Sequence, residues 1–213
     1  MKRFLLKKTV CSSFVCIATC FLLLMSVGCA INRGTINTFY EPSYTVGSVK
    51  SLVVPVIRNA RLAPSESMNI SRTINRAIAA KNPQLRLISA NAFKKLINSQ
   101  GAVGEYADFI KDYVTSGIAN QEFMKRLVSA DIDAIMICEL SRISQRDGAY
   151  GWNKAETRVT LSFTIINTNT NDVVWSASAD GVKGASTTLS EAPPMAAAIQ
   201  LAVSKVADAI PRL

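Results

Sequence analysis

The sequence predicts a single α/β (α+β) sandwich, a mixed β-sheet with helices packed on it, and three observations carry that expectation. Apolar residues recur at three- and four-residue steps in several segments between Pro64 and Val128, and again after Pro194. From Asp131 the period changes to alternation, through DIDAIMICELSRIS, ETRVTLSFTIINT and DVVWSASADGV. The resulting order is strand, helix, strand, three helical pieces, three strands and a last helix, which neither an all-helical nor an all-strand architecture accommodates.

The amino end precedes all of these. It opens MKRFLLKK, with Lys2, Arg3, Lys7 and Lys8, and no acidic residue occurs before Glu41. The continuous apolar part runs from Val15 to Met25; as a helix it spans about 16 Å, against about 30 Å for the apolar core of a bilayer. A basic start followed by a short apolar core is the pattern of an export signal, too short for a membrane span. Ser26, Val27, Gly28 and Cys29 follow, small residues directly ahead of a cysteine.

This stretch, LLLMSVGCA, resembles the lipobox of bacterial lipoproteins, with Ser26 where leucine is commonest. The resemblance implies cleavage before Cys29, a diacylglycerol thioether on its sulfur and acylation of the new amino group, palmitate being typical of such chains. Two or three acyl chains anchor stably where one does not. Ala30 is not the aspartate that retains lipoproteins in the inner membrane, so the resemblance implies outer-membrane anchoring facing the periplasm if the source is Gram-negative. Of the five cysteines, Cys11, Cys16 and Cys20 lie in the removed segment, and lipid consumes Cys29. Cys138 is left without a disulfide partner, and its apolar setting in DAIMICEL reads as a buried small hydrophobe.

On this reading the chain divides into a signal peptide over 1–28, a lipidated short tether over 29–48 and one α/β domain over 49–213. The signal holds four of the 24 basic residues and none of the 15 acidic ones. Twenty against fifteen leaves the mature chain at +5, a mild basicity that suits anionic envelope polymers and headgroups better than nucleic acid.

Along the domain, VKSLVVPVI (49–57) reads as a buried strand with Pro55 near its end. Pro64 and Glu66 supply helix-start chemistry, and Ile70, Ile74 and Ile78 form a stripe ending near Asn82 and Pro83. LRLIS (85–89) is a short strand. Phe93, Leu96 and Ile97, then Tyr106, Phe109, Ile110 and Tyr113, then Phe123, Met124 and Leu127 mark three further helices. Strands are expected from Ala134 to about Ile143, over 156–168, and from Asp172 to about Lys183, with Trp175 on the core side. Asn167 to Asn171 is turn material. Pro193 and Pro194 open the last helix, with Met195, Ile199, Ala202, Val203, Val206 and Ile210 on one face.

Three of these pieces, DIDAIMICELSRIS, TLSFTIINTNTNDVVWSASADG and the alanine-rich helix ending AIPRL, resemble the domain shared by the curli-secretion-channel lipoproteins, the penicillin-binding-protein activator lipoproteins and the amino-terminal domain of TolB. Asn171 stands where that superfamily's turn has glycine, and asparagine tolerates a left-handed backbone. The resemblance implies the sandwich fold and a non-enzymatic envelope role: an adaptor, activator or assembly factor that binds another envelope protein. The alternative is a subunit of, or accessory to, an outer-membrane secretion channel. Homo-oligomerisation is left open.

Chemistry narrows the choice. The chain contains no histidine, which removes Ser-His and Cys-His nucleophile pairs, zinc-histidine sites and a histidine base. No glycine-rich phosphate loop of either common spacing occurs, and neither a catalytic residue, a cofactor site nor a metal site is expected. Asp131 and Asp133 form a D-x-D that reads as a strand-entrance cap before a cation site, and nothing in the spacing brings Glu139 and Glu156 together. One surface feature stands out, the connection QRDGAYGWNKAE (145–156). There Tyr150 and Trp152, flanked by Arg146 and Lys154, either meet a partner protein or glycan or fold back over the sheet edge.

Cells expressing the chain are expected to incorporate labelled palmitate into it, and Cys29→Ser to abolish both incorporation and recovery in the membrane fraction. Undiminished labelling of the serine variant would refute lipidation at Cys29.

Overall fold

The computed structural model describes residues 32–57, 59–148, 154–185 and 190–213. Cys29 and the signal segment lie outside these. The described chain is one α/β domain with six strands, β1 (Asn32–Tyr40), β2 (Ser51–Val53), β3 (Arg86–Ile88), β4 (Ala134–Arg146), β5 (Glu156–Asn167) and β6 (Val173–Gly184). Its helices are α1 (Pro64–Lys81), α2 (Ala90–Ser99), α3 (Val103–Ser116), α4 (Gln121–Ser129) and α5 (Met195–Ala209). The strands form one mixed sheet in the order β1-β6-β5-β4-β2-β3. Antiparallel pairing joins β1, β6, β5 and β4, whereas β2 runs parallel to both β3 and β4.

The helices begin where local chemistry satisfies their first amides. In α1, Pro64 needs no amide partner, and the Glu66 carboxylate accepts from the backbone N–H of Ala63 at 2.8 Å. Ser89 Oγ accepts from Ala92 N at the start of α2, and Asn120 Oδ1 accepts from the N–H groups of Glu122 and Phe123 at the start of α4. Gly117 closes α3 at φ 73°, a left-handed conformation in which glycine carries no Cβ penalty. Asn171 adopts φ 63° in the β5–β6 turn, the role expected of it.

Alternation along the strands divides the core between two faces. Ala134 and Met136 of β4, Leu161, Phe163 and Ile165 of β5, and Trp175, Ala177 and Ala179 of β6 pack under α1 and α5. Val53, Ile135, Ile137 and Ile166 point the other way, against Phe93, Phe109, Phe123 and Leu127 of α2, α3 and α4. Phe109 and Phe123 stack there with centroids 4.9 Å apart. Trp175 is 2% exposed, as its alternation predicts.

The segment expected as tether contains a strand. Residues 32–40 pair with β6 from Asn32 opposite Lys183 to Tyr40 opposite Trp175, so only the part after Tyr40 is a connection. The physical reason is the edge that β6 otherwise presents: Thr35, Ile36, Thr38, Phe39 and Tyr40 are β-formers, and their pairing satisfies its amides. Tyr40 adds a hydrogen bond from its hydroxyl to Arg212 O at 3.2 Å. A second correction is the first expected strand, which shrinks from 49–57 to Ser51–Val53. Its parallel partner β3 is equally short, and Pro55 has no N–H to extend the ladder. The strand expected to end near Ile143 continues to Arg146.

Gly181 sits directly under α5: a Cβ there would lie 1.9 Å from Ala198 O and 2.8 Å from Ala202 N, both backbone atoms. At Gly34 the nearest atom is Cγ of Lys205, 2.9 Å away on a flexible side chain. Gly181→Ala is therefore expected to lower unfolding free energy by about 3 kcal/mol or more, the upper range for overpacking. Gly34→Ala is expected to cost about 1 kcal/mol or less, because the lysine stem moves aside. Urea titrations followed by circular dichroism check both, and equal effects would contradict the close seat of α5.

Candidate functional surface

The connection between β4 and β5 leaves the sheet at the end where β1 begins. Arg146 is the exposed last residue of β4, opposite Glu156, the first residue of β5. Lys154 is half-buried just ahead of β5. Tyr150 and Trp152 lie outside the described residues. The flanks of this connection are fastened to the segment joining β6 to α5: Gly148 N donates to Ser190 O at 2.9 Å, and Ala192 N donates to the Asp147 carboxylate at 2.8 Å. Ala185 N donates to Ala155 O, and the Thr157 hydroxyl donates to Pro193 O. Two connections and the entry of β1 thus share one rim. The sequence contained a signal for that entry, the β-branched and aromatic run TINTFY, but Gly34 and the asparagines masked it.

The residues weighed for chemistry are structural where they are described. Asp133 Oδ2 accepts from Lys50 N at 2.9 Å and Ser51 N at 3.0 Å. Ser51 Oγ in turn accepts from Asp133 N and donates to Asp131 O. The D-x-D therefore caps the entrances of β2 and β4, tying the parallel half of the sheet to the antiparallel half. Asp131, at φ 57°, pairs with Arg86 at 2.6 Å; both side chains are exposed, so the pair contributes about 1 kcal/mol at most. Glu139 faces Ser162 and Glu156 faces Arg146 across the β4–β5 ladder, at different heights of it. Among the described residues no group of three His, Cys, Asp or Glu side chains is placed to hold a metal ion.

Cys138 packs against the α1/α5 core but its residue is only partly buried, short of the buried setting its sequence suggests. Burial, with a smaller contribution from Glu139, pushes its thiol well above the ordinary range, the reverse of what a nucleophilic cysteine needs. Burial likewise raises the Tyr113 hydroxyl, partly offset by a hydrogen bond with Thr164. Desolvation and then Tyr44 raise that of Tyr40.

Two open grooves flank Arg72 and Arg76. One of about 410 Å³ lies between α1 and the start of α2, lined by Met68, Leu87 and Ser89. The other, about 430 Å³, lies between α1 and α5, lined by Asn69, Thr73, Gln200 and Ser204. Both present donors and methyl groups, and Glu66 adds a carboxylate to the second. Beyond them, Thr160, Ser162 and Thr164 of β5 and Ser176 and Ser178 of β6 lie half-exposed on the sheet face away from α5. Among the described residues no helix is long and apolar enough to cross a membrane.

No family model matches the chain, and no curated protein does. Among solved structures, the PelC dodecamer from Paraburkholderia phytofirmans is 15% identical, with a TM-score of 0.45 over 82% of this chain and 94% of that one. Lipoprotein GNA1162 from Neisseria meningitidis is 14% identical, with a TM-score of 0.43 over 74% of this chain and 98% of its own. The LpoB C-terminal domain from Salmonella enterica is 14% identical, with a TM-score of 0.37 over 64% and 84% respectively.

Because the Cys138 thiol is raised in the folded chain, the unfolded chain releases its proton first. Its contribution to stability is present below the ordinary thiol range and is lost as pH rises through it. The Cys138 peptide is expected to take up iodoacetamide at least about tenfold more slowly in the native protein than in guanidinium at pH 8, consistent with a suppressed thiolate. Equal rates, read by mass spectrometry, would contradict the burial of the sulfur.

Proposed function

We propose that this chain is a cell-envelope lipoprotein, anchored through acyl chains on Cys29 in the outer membrane and facing the periplasm, whose domain binds or scaffolds another envelope protein without catalysing a reaction. Residues 1–28 serve as the signal peptide, and the folded domain starts at β1 rather than at residue 49. The observation that carries the reading is the place of Cys29. A basic, short apolar segment lies before it, and β1 begins three residues after it.

The chemistry of the chain supports binding as the work of the domain. There is no histidine in the chain, Cys138 is desolvated, and Asp133 and Asp131 are occupied in capping and surface pairing. The contact surface is the β4–β5 connection, with Arg146, Tyr150, Trp152 and Lys154 as its recognition residues. Aromatic and arginine side chains are the types that dominate contact energetics.

A second reading, a subunit of or accessory to a secretion channel, draws on β1. Its nine residues have only β6 as a strand neighbour in the described sheet, so a further strand can add there. Strands β5 and β6 are long enough to span a bilayer as part of a barrel, but one side of each is already committed to the core beneath α5. The first reading is therefore preferred.

Crosslinking in intact cells followed by purification is expected to recover a discrete envelope partner, with its yield falling at least about fivefold in the Tyr150→Ala, Trp152→Ala double variant, the size of loss expected when interface aromatics are truncated. An unchanged set of partners would remove the loop from the interface. Single-channel conductance by the lipidated protein would instead favour the second reading.

A further inference from the structure

We infer that the rim of the sheet carrying Arg33, Arg146, Lys154 and Lys183 lies against an anionic bilayer surface, so that the domain stands upright on the membrane with its strands roughly along the normal. The inference rests on the proposed acylation of Cys29 and adds an orientation that lipidation alone does not provide.

The first argument is covalent. Three residue steps lead from Cys29 to Asn32, a reach of about 10 Å even when fully extended. Asn32 is opposite Lys183 on β6. The neighbouring Gly184 is opposite Glu156 on β5, and Glu156 is opposite Arg146 on β4. The start of β1 therefore belongs to the same end of the sheet as the end of β6, the start of β5 and the end of β4. At about 4.8 Å between strands, that rim is about 15 Å wide from β1 to β4. An acyl-anchored Cys29 brings this rim to the headgroups. The opposite end, where β4 begins, is about 40 Å away along its 13 residues.

A leash of this length still permits the domain to tip onto its β1 edge or onto the amino end of α5. Charge selects among these orientations. Arg33 and Arg146 are exposed, Lys154 and Lys183 are half-buried, and among the described residues none of the four forms a salt bridge. The acidic groups at the same end are partly engaged: Glu156 pairs with Arg158 at 3.4 Å, Asp147 accepts from Ala192 N, and Glu191 is exposed. At the far end Glu41, Asp131, Asp133 and Asp172 are matched by Lys50, Lys81, Arg86 and Arg212, so that end carries no net excess of positive charge. A negatively charged surface attracts basic side chains within about a Debye length, roughly 8–10 Å in physiological salt. That range matches the leash, so the anchor and the charges act on the same rim.

The orientation also constrains the proposed partner. A protein bound through the β4–β5 connection has to present its surface at headgroup level, whereas one bound on the half-exposed hydroxyl face of β5 and β6 meets the domain well above the membrane.

The test uses the full-length processed protein in a Cys138→Ala background, reconstituted on vesicles of phosphatidylcholine with or without one-third phosphatidylglycerol. A single fluorophore is placed on Lys183→Cys or, at the far rim, on Asn169→Cys, and quenching by headgroup-nitroxide lipid is measured. The expected result is at least threefold stronger quenching at position 183 than at 169 on the anionic vesicles. The ratio should shrink with added salt, in pure phosphatidylcholine, and on Arg146→Gln, Lys154→Gln substitution. A ratio near one, or one indifferent to lipid charge, overturns the orientation while the protein still floats with the vesicles. Failure to float overturns it by a separate route, because the acylation of Cys29 has then failed as well.

Discussion

The close seat of α5 on β6 is the contact on which the rest of the domain is arranged. Gly181 lies within contact distance of the α5 backbone, and Ala177, Ala179, Ala198 and Ala202 continue a layer of small side chains between strand and helix. A helix that approaches so closely covers β6 and reaches β5 and β1 as well, so one element closes the core over three strands. Large side chains are displaced to the margins of that contact, where Trp175, Phe163 and Leu161 fill the remaining volume. The arrangement also explains why β1 is tolerated with so few apolar residues. Its support comes from the ladder to β6 and from the edge of α5, with Ile36 partly buried between them.

Two polar clamps complete what packing begins. The Asp133 carboxylate and the Ser51 hydroxyl join the entrances of β2 and β4 through four hydrogen bonds between 2.9 and 3.0 Å, fixing the parallel pair in register where the ladder itself is short. Asn82, buried after α1, donates to Ile78 O and Pro211 O and accepts from Leu213 N at 2.6 Å, while Lys81 donates to Asp208 O and Ile210 O. The chain's last residues are thereby held against α1. Both clamps use a side chain to satisfy backbone groups that lie beyond the ends of regular elements, where burial without a partner costs about 1–3 kcal/mol per group.

The helices and the long strands were legible because their periodicity is produced by the same burial that folds them. Ile70, Ile74 and Ile78, and Val159, Leu161, Phe163 and Ile165, are apolar for the reason they are buried. The clamps were less legible: Asp133 was readable as a cap, but its acceptors' partners lie some eighty residues away in sequence, a distance no local pattern spans. β1 carried only the weak signal of TINTFY. It gains its stability from the unpaired edge of β6, a long-range property, and its own composition of asparagine, threonine and glycine imitates a linker. The candidate surface divides in the same way, since Arg146 and Lys154 were identifiable from the loop they flank, while Arg33 and Lys183 become neighbours of that loop only through the β1–β6 register.

Adding β1 to the domain changes what the proposed anchor at Cys29 would mean. A tether of about nineteen residues would leave the domain free to search a hemisphere of the periplasm, and any face would then be as available as any other. With β1 starting three residues after Cys29, the proposed anchor would instead act as a pivot, and the sheet's direction would become a direction relative to the membrane. On that proposal, recognition at the β4–β5 rim and recognition on the hydroxyl face of β5 and β6 would differ in height above the bilayer, because the strands that carry them would be fixed to the pivot at one end. A surface that is weak as an isolated patch gains from this restriction, since a partner held in the same membrane meets it at a raised effective concentration and in a limited set of orientations. The domain therefore does not need a deep pocket to be selective. Under the proposed anchoring, the geometry of attachment would contribute specificity that the grooves and polar sheet face, taken alone, do not.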